Sequence, residues 1–214
     1  MKNYIWVSML CLISPLFGQD TPARTFEARV YGSAYVLNSR WHTYRPLSVK
    51  GFDVGPFSLA LSTAKGAIVQ ELELGYWGGE NGLPGYRQEL QQMHLRYEYG
   101  TYLSRKILNQ VRVRIGAGWQ VFYQHREEIP TVIGRYLRDR DRVGLGMDFV
   151  SHFEVPLRPR LFLDLSLGFL NFTYALNRSY SHNPGLPERQ RELTNFELDW
   201  LLLRQLRIGI GYRL

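Results

Sequence analysis

A chain of 214 residues is long enough for one domain and short for two. It is 45% hydrophobic and 14% aromatic with 20 Gly, and has no long apolar run after its first twenty residues, which favours an all-β protein over a helical one. The formal charge of +7 is carried mostly by Arg spread among many segments, so a basic helical stripe for nucleic acid is excluded and anionic lipid head groups become the natural partner.

Met1 to Asp20 reads MKNYIWVSMLCLISPLFGQD. Lys2 gives a positive start, and Tyr4 to Phe17 is an apolar stretch too short for a membrane-spanning helix of about 20 residues. Pro15 breaks the stretch and Gly18 offers a small residue before a cut. The pattern predicts a signal peptide over 1–18, cleaved before Gln19, and one domain over 19–214. Cys11, the single cysteine, falls in that leader, so thiol chemistry is excluded from the remainder.

Phe26 to Leu37 alternates Phe26, Ala28, Val30 against Glu27, Arg29, Tyr31, and predicts the first strand. Asn38 to Pro56 is aromatic and punctuated by Pro and Gly, and reads as a loop. A second strand is expected over Phe57 to Ala64, a tight turn at Ala64-Lys65-Gly66, and a third strand over Ala67 to Trp77. Gly78 to Gln88 reads as a loop by its Gly, Asn and Pro content. The fourth strand spans Leu90 to Leu103, and Ser104 to Asn109 is a short polar connection. In the fifth, Val111 to Tyr123, Val113, Ile115, Ala117 and Trp119 oppose Arg112, Arg114, Gly116 and Gly118.

Gln124 to Asp141 is charge-dense and reads as a long loop. The sixth strand is Arg142 to Val155, Pro156 to Pro159 a sharp turn, and the seventh strand Arg160 to Tyr174. Ala175 to Arg191, with Asn183-Pro184-Gly185, reads as a loop. The last stretch, Phe196 to Leu214, carries Phe196, Leu198, Trp200, Leu206, Ile208, Ile210 and Tyr212 on one side and Glu197, Asp199, Arg207, Gly209, Gly211 and Arg213 on the other. Parity is unbroken through it and Leu203-Arg204-Gln205 is a poor turn, so one strand is preferred to a hairpin.

Eight alternating segments with connections that run long, short, long, short predict a single closed antiparallel up-and-down barrel of eight strands in the outer membrane of a Gram-negative bacterium. Its short turns would be periplasmic and its long loops external. The apolar faces would meet lipid, and the inward acids (Glu27, Glu71, Glu73, Glu98, Asp148, Glu154, Asp164, Glu197, Asp199) would meet the inward bases (Arg29, Arg96, Arg112, Arg114, Arg207, Arg213, with His94 and His152). Enclosed charges must pair, so a salt-bridged, largely closed lumen is expected rather than a diffusion pore. Of that network, Glu71, Glu73, Arg96, Glu98, Arg112, Arg114, Asp148, Glu154, Asp164 and Arg207 are its candidate site residues.

With the ending LFGQ of the leader, the Lys65-Gly66 turn before QELEL and the closing IGIGYRL, the chain resembles the small outer-membrane β-barrel proteins of Bacteroidetes-type bacteria, the group that includes PorT-like and OmpA/OmpX-like barrels. The resemblance implies membrane location and recognition by barrel-insertion machinery through the C-terminal strand. Such proteins usually end in an aromatic residue; here Leu214 is last and Tyr212 is the nearest aromatic.

Three functions remain open. The first is a non-enzymatic barrel whose Arg-rich loops (Arg126, Arg135, Arg138, Arg140, Arg142, Arg178, Arg189, Arg191) meet lipopolysaccharide or an envelope or secretion partner, with Arg135, Arg138, Arg140 and Arg178 as the proposed phosphate contacts. The second is a lipid-modifying hydrolase or acyltransferase using Ser181 and His182, with Glu188 or Glu192 as orienter. The third is a soluble lipocalin-like barrel with the facing reversed. His94 and His152 beside Glu98 and Glu154 could hold a metal, although membership of the charge network is the simpler role; no cofactor is expected, and no phosphate-cradling Gly-rich loop before a helix is present.

Overall fold

A computed structural model describes residues 24–35, 47–49, 52–83, 85–103 and 110–214. The expected signal peptide and the Ser104–Asn109 connection lie outside the described residues, as does most of the expected loop 38–56. The strands are β1 (Thr25–Tyr35), β2 (Leu47–Val49), β3 (Phe52–Lys65), β4 (Ile68–Leu83), β5 (Tyr86–Tyr102), β6 (Arg112–Pro130), β7 (Arg138–Pro156), β8 (Leu161–Ser181) and β9 (Glu192–Arg213). A four-residue helix, α1 (Glu188–Arg191), precedes β9.

Each long strand pairs antiparallel with its neighbours in sequence, and β1 pairs with both β9 and β3, so eight strands close a ring; the three-residue β2 pairs only with β3. The register gives the ring's stagger. From Thr25 the partners run Ala64, Val69, Gly100, Gly116, Val150, Gly168, Gln205 and back to β1 at Tyr35, ten residues above the start. Closure with such a shear makes the strands lean about 35–45° from the barrel axis.

Alternation decides the two faces. Leu59, Leu61, Leu72, Leu74, Leu145 and Ile210 are exposed on the outside, whereas Glu71, Glu73, Arg96, Glu98, Arg114, Glu154 and Asp164 are buried inside. A soluble barrel would carry the opposite distribution, so the lipocalin-like alternative is rejected by this facing. Aromatic and Met side chains line up along the register at the upper edge of the apolar band, Phe57 beside Tyr76, Met93 and Tyr123. Phe26 and Tyr212 mark the lower edge, where Leu214 N–H donates to the Phe26 carbonyl.

The structure corrects four of the expected loops. Where the sequence predicts loops over 78–88, 124–141 and 175–191, the chain runs on as paired strand: Gly78 is opposite Gln91, Gln124 opposite Arg142, and Arg178 opposite Thr194. These stretches are polar on both sides, so they lack an apolar period, yet their backbones still close ladders with neighbours already in register. The true connections are short: the turn around Gly85 (φ +82°), residues 131–137, and 182–191. Phe52–Pro56, expected as loop, belongs to β3.

β9 is one strand; Phe196, Leu198, Trp200, Ile208, Ile210 and Tyr212 are exposed on its outer face, and its register against β8 shifts between Gln205 and Leu203. β8 changes phase instead. Phe162, Asp164 and Ser166 are buried below Leu170, and Asn171, Thr173 and Ala175 above it. Leu170 sits at φ +49°, a left-handed conformation uncommon for leucine, and its extra residue shifts the register against β7.

Candidate functional site

The inward side chains of the eight strands build a continuous ionic interior. At its lower end Glu27 meets Arg213 at 3.1 Å and Arg112 at 3.3 Å, and Arg112 reaches Glu154 at 2.5 Å. Tyr102 donates its hydroxyl to Glu154 at 2.9 Å. Arg29 is the hub: its guanidinium lies 2.5 Å from Glu27, 2.5 Å from Asp164, 2.8 Å from Glu154 and 3.5 Å from Glu71. Those four carboxylates stand on β1, β8, β7 and β4, so one side chain ties opposite walls together.

A second level is centred on Arg114, 2.9 Å from Glu71 and 3.1 Å from Glu98. His152 stands beside it, with Nδ1 3.0 Å from Asp164 and Nε2 3.0 Å from Glu98 and 2.8 Å from the Arg114 guanidinium. Tyr31 donates its hydroxyl to Asp164 at 2.8 Å. Above this, Arg96 spans Glu98 at 2.7 Å and Asp148 at 2.9 Å, Arg207 pairs with Glu73, and Ser58 donates to Glu73 at 2.5 Å. Seven carboxylates (Glu27, Glu71, Glu73, Glu98, Asp148, Glu154, Asp164) face six guanidiniums (Arg29, Arg96, Arg112, Arg114, Arg207, Arg213) in these levels.

Burial makes this arrangement obligatory. Arg114, His152, Glu154 and Asp164 are 0% exposed. An isolated ion there would lose several kcal/mol of hydration, and only close, multiply hydrogen-bonded partners offset the loss. The planar guanidinium forks can serve two or more carboxylates at once, which one ammonium point charge does less well. Glycines supply the room: a Cβ at Gly118 would run into the Arg96 guanidinium and the Asp148 carboxylate. The interior is therefore bridged from wall to wall at successive heights.

All ten side chains that the sequence singles out for a lumen network meet here. Tyr31, Tyr102, Ser58 and Ser166 also take part, the last accepting from Arg207 Nε at 2.9 Å. Strand parity was their only signal, and parity names no partner. His94 joins through Glu73 at 3.3 Å, and among the described residues no cluster with metal-ligand geometry is formed.

Higher up, the structure corrects the assignment of Arg142 to the outer loops. It points inward, is 6% exposed, and lies 3.4 Å from Glu197 and 3.5 Å from Asp199, with its guanidinium over the Phe122 ring. Arg138 and Arg140 share its side of β7; Arg140 stands 3.8 Å from Glu128. Arg178 is exposed on the outer side of β8 and bound to Glu192 at 2.7 Å. Arg135 lies over the Tyr86 ring, where Thr131 N–H donates to the Gly85 carbonyl and fastens two outer connections together. Outside the bilayer, burial raises the pKa of Asp141, but hydrogen bonds from His125 and Tyr123 outweigh that and hold its carboxyl below the ordinary range.

Ser181 and His182 do not form a nucleophile–base pair. No hydrogen bond joins them; Ser181 Oγ accepts from Asn183 N–H at 3.5 Å. The carboxylate on His182 is Asp139, at 2.7 Å, in place of the expected Glu188 or Glu192.

The closed ring, its ten-residue stagger and the apolar exterior around an ionic lumen have one known home. The fold is that of an outer-membrane β-barrel. No family model and no curated protein matches the sequence. Among solved structures, the chain is similar to a major outer membrane protein from Thermus thermophilus, with 12% identity over 90% of this chain and 100% of that one and a TM-score of 0.57. It is likewise similar to outer membrane protein W of E. coli, with 12% identity, 90% and 98% coverage and a TM-score of 0.50. At such identities the likeness is one of fold.

Proposed function

We propose that the protein is a non-enzymatic outer-membrane barrel with an ionic plug, whose working surface is the set of hairpins above the bilayer and whose partner there is lipopolysaccharide. The resemblance of LFGQ, QELEL and IGIGYRL to Bacteroidetes-type small barrels supports assignment to that group and entry into the membrane through the C-terminal strand. The observation that carries the reading is a change along the outward face. The row Tyr123, Val143, Leu176, Phe196 is followed two residues up by His125, Asp141, Arg178, Thr194. Apolar surface thus gives way to charge at the height where lipid phosphates lie, and Arg178, 61% exposed on its side chain, presents a guanidinium fork there. Arg135 extends the basic surface at the tip of the β6–β7 hairpin. Arg138 and Arg140 turn toward the barrel axis and away from this lipid-facing row.

The test is unfolding in vesicles made with and without lipopolysaccharide. Lipopolysaccharide should raise the urea midpoint of the wild-type chain, and Arg178→Gln should reduce that rise; equal midpoints in both vesicles would overturn the reading. Planar-bilayer recording should show no steady conductance, and an open ion current would remove the plug. Replacing His182 by Ala should leave lipid A acylation unchanged, whereas an altered lipid profile would restore the enzymatic alternative.

A further inference from the structure

The lower edge of the barrel carries charge of one sign. Around the ring, β8, β9, β1 and β3 are neighbours, and their lower ends are tied together. Arg213 N–H donates to the Arg160 carbonyl, Leu214 N–H to the Phe26 carbonyl, and Thr25 stands opposite Ala64. The β7–β8 turn with Arg158 and Arg160, the end of β9 with Arg213, the start of β1 with Arg24, and the β3–β4 turn with Lys65 therefore form one continuous arc. From β8 to β3 it spans three strand spacings, about 14 Å.

Among the described residues no acidic side chain balances this arc. The lower carboxylates Glu27, Glu154 and Asp164 are buried in the plug and already face Arg29, Arg112 and Arg213. The side chains of Lys65, Arg158 and Arg160 meet no carboxylate among the described residues, and a terminal carboxylate at Leu214 would offset one charge only. The upper rim differs: Arg87 stands 2.7 Å from Glu80 and 2.9 Å from Glu89, and Arg178 stands 2.7 Å from Glu192. The cations of the arc also have exposed apolar neighbours. Arg158 follows Leu157, Arg213 precedes Leu214, and Lys65 is opposite Ile68. Cations interleaved with apolar side chains, at the height where the lipid-facing band ends, suit a membrane interface better than a soluble acidic protein.

We infer that this arc docks the head groups of anionic phospholipids in the leaflet on the short-turn side of the membrane, with Arg158, Arg160 and Lys65 on their phosphates. A guanidinium fork takes two phosphate oxygens at once, and the lysine adds a point charge. Leu157 and Ile68 lie against the adjoining acyl chains. A zwitterionic head group fits less well, because its own ammonium would meet the cations of the arc. This role rests on the outer-membrane reading, which sets these turns at the periplasmic leaflet, and it needs no contact between the upper rim and lipopolysaccharide.

The experiment uses the full chain in phosphatidylcholine nanodiscs that carry a trace of lipid spin-labelled high on its acyl chain, phosphatidylglycerol in one sample and phosphatidylcholine in the other. The backbone amide NMR signals of Gly66 and Arg158 report contact at the arc itself. Phosphatidylglycerol should broaden them about fivefold more than phosphatidylcholine, the scale of one basic residue at an anionic surface. The triple substitution Lys65→Gln, Arg158→Gln and Arg160→Gln should bring the two lipids to equal effect. Equal broadening in the wild-type chain, or an undiminished preference in the triple variant, overturns the docking surface. If the triple variant does not insert, the wild-type comparison decides. Polyglutamate that shifts Gly66 and Arg158 where phosphatidylglycerol shows no preference would reassign the arc to an acidic protein and overturn lipid docking. A wild-type chain that inserts into nanodiscs of no composition removes the barrel reading as well; insertion with equal broadening removes the arc alone.

Discussion

The plug and the outer hairpins are two halves of the same strands, and both put charge on the inward side. They differ in what surrounds that charge. In the plug the wall is closed on every side, and guanidiniums such as Arg29 and Arg114 are sealed from water with partners at hydrogen-bonding distance. In the hairpins Arg138 is exposed, and Arg140 meets its acid at 3.8 Å. Enclosure thus turns an ion pair from an option into a structural requirement, while the open end leaves arginine available for an external anion.

Substitutions sharpen that contrast, and the largest effect is expected at the hub. Arg29→Met would strand four carboxylates and should cost about 3–5 kcal/mol in urea unfolding from lipid vesicles, whereas Arg138→Met should stay within about 0.5 kcal/mol. Similar costs for the two would break the distinction. On the outer face, Ile208→Arg near the middle of the apolar band should cost about 2–4 kcal/mol, and Thr194→Arg, above the band on the same strand, about 0–1 kcal/mol. Both are read from the same unfolding curves. Gly118→Ala forces apart Arg96 and Asp148 and should cost about 1–3 kcal/mol by overpacking.

The smallest effect concerns Asp141, where the hairpin is solvated. Its folded-state pKa lies below the ordinary 3.8, so its contribution is complete above that value and is lost as pH falls through the lowered one. Asp141→Asn should therefore be slightly less stable than wild type at neutral pH and equal to it in strong acid. A difference that persists at the lowest pH would show that the carboxylate's charge is not what the β6–β7 hairpin uses.

Much of this was legible in residue order. Alternation in VRVRIGAGWQV, LFLDLSLGF and LRIGIGYRL separates lipid face from lumen face, and the ten proposed network residues follow from parity alone. Two kinds of feature were hidden. The outer hairpins lack an apolar period because neither side of Gln124–Glu128 or Arg138–Arg142 is buried in lipid, so their strand state depends on partners in register. The bulge at Leu170 hides in Phe169-Leu170-Asn171-Phe172, where apolar residues on both sides of the slip allow either phase.

Sequence alone determined which side of each membrane strand is greasy and which is ionic, because a period of two residues is a local property of extended backbone. Only the tertiary structure decided that Arg29 serves acids from four strands, that Arg142 turns inward, that Asp139 and not Glu188 or Glu192 meets His182, and that Arg126 faces Arg140. Those pairings are set by the shear of a closed ring, which brings together residues up to 186 positions apart, and no local pattern encodes that offset.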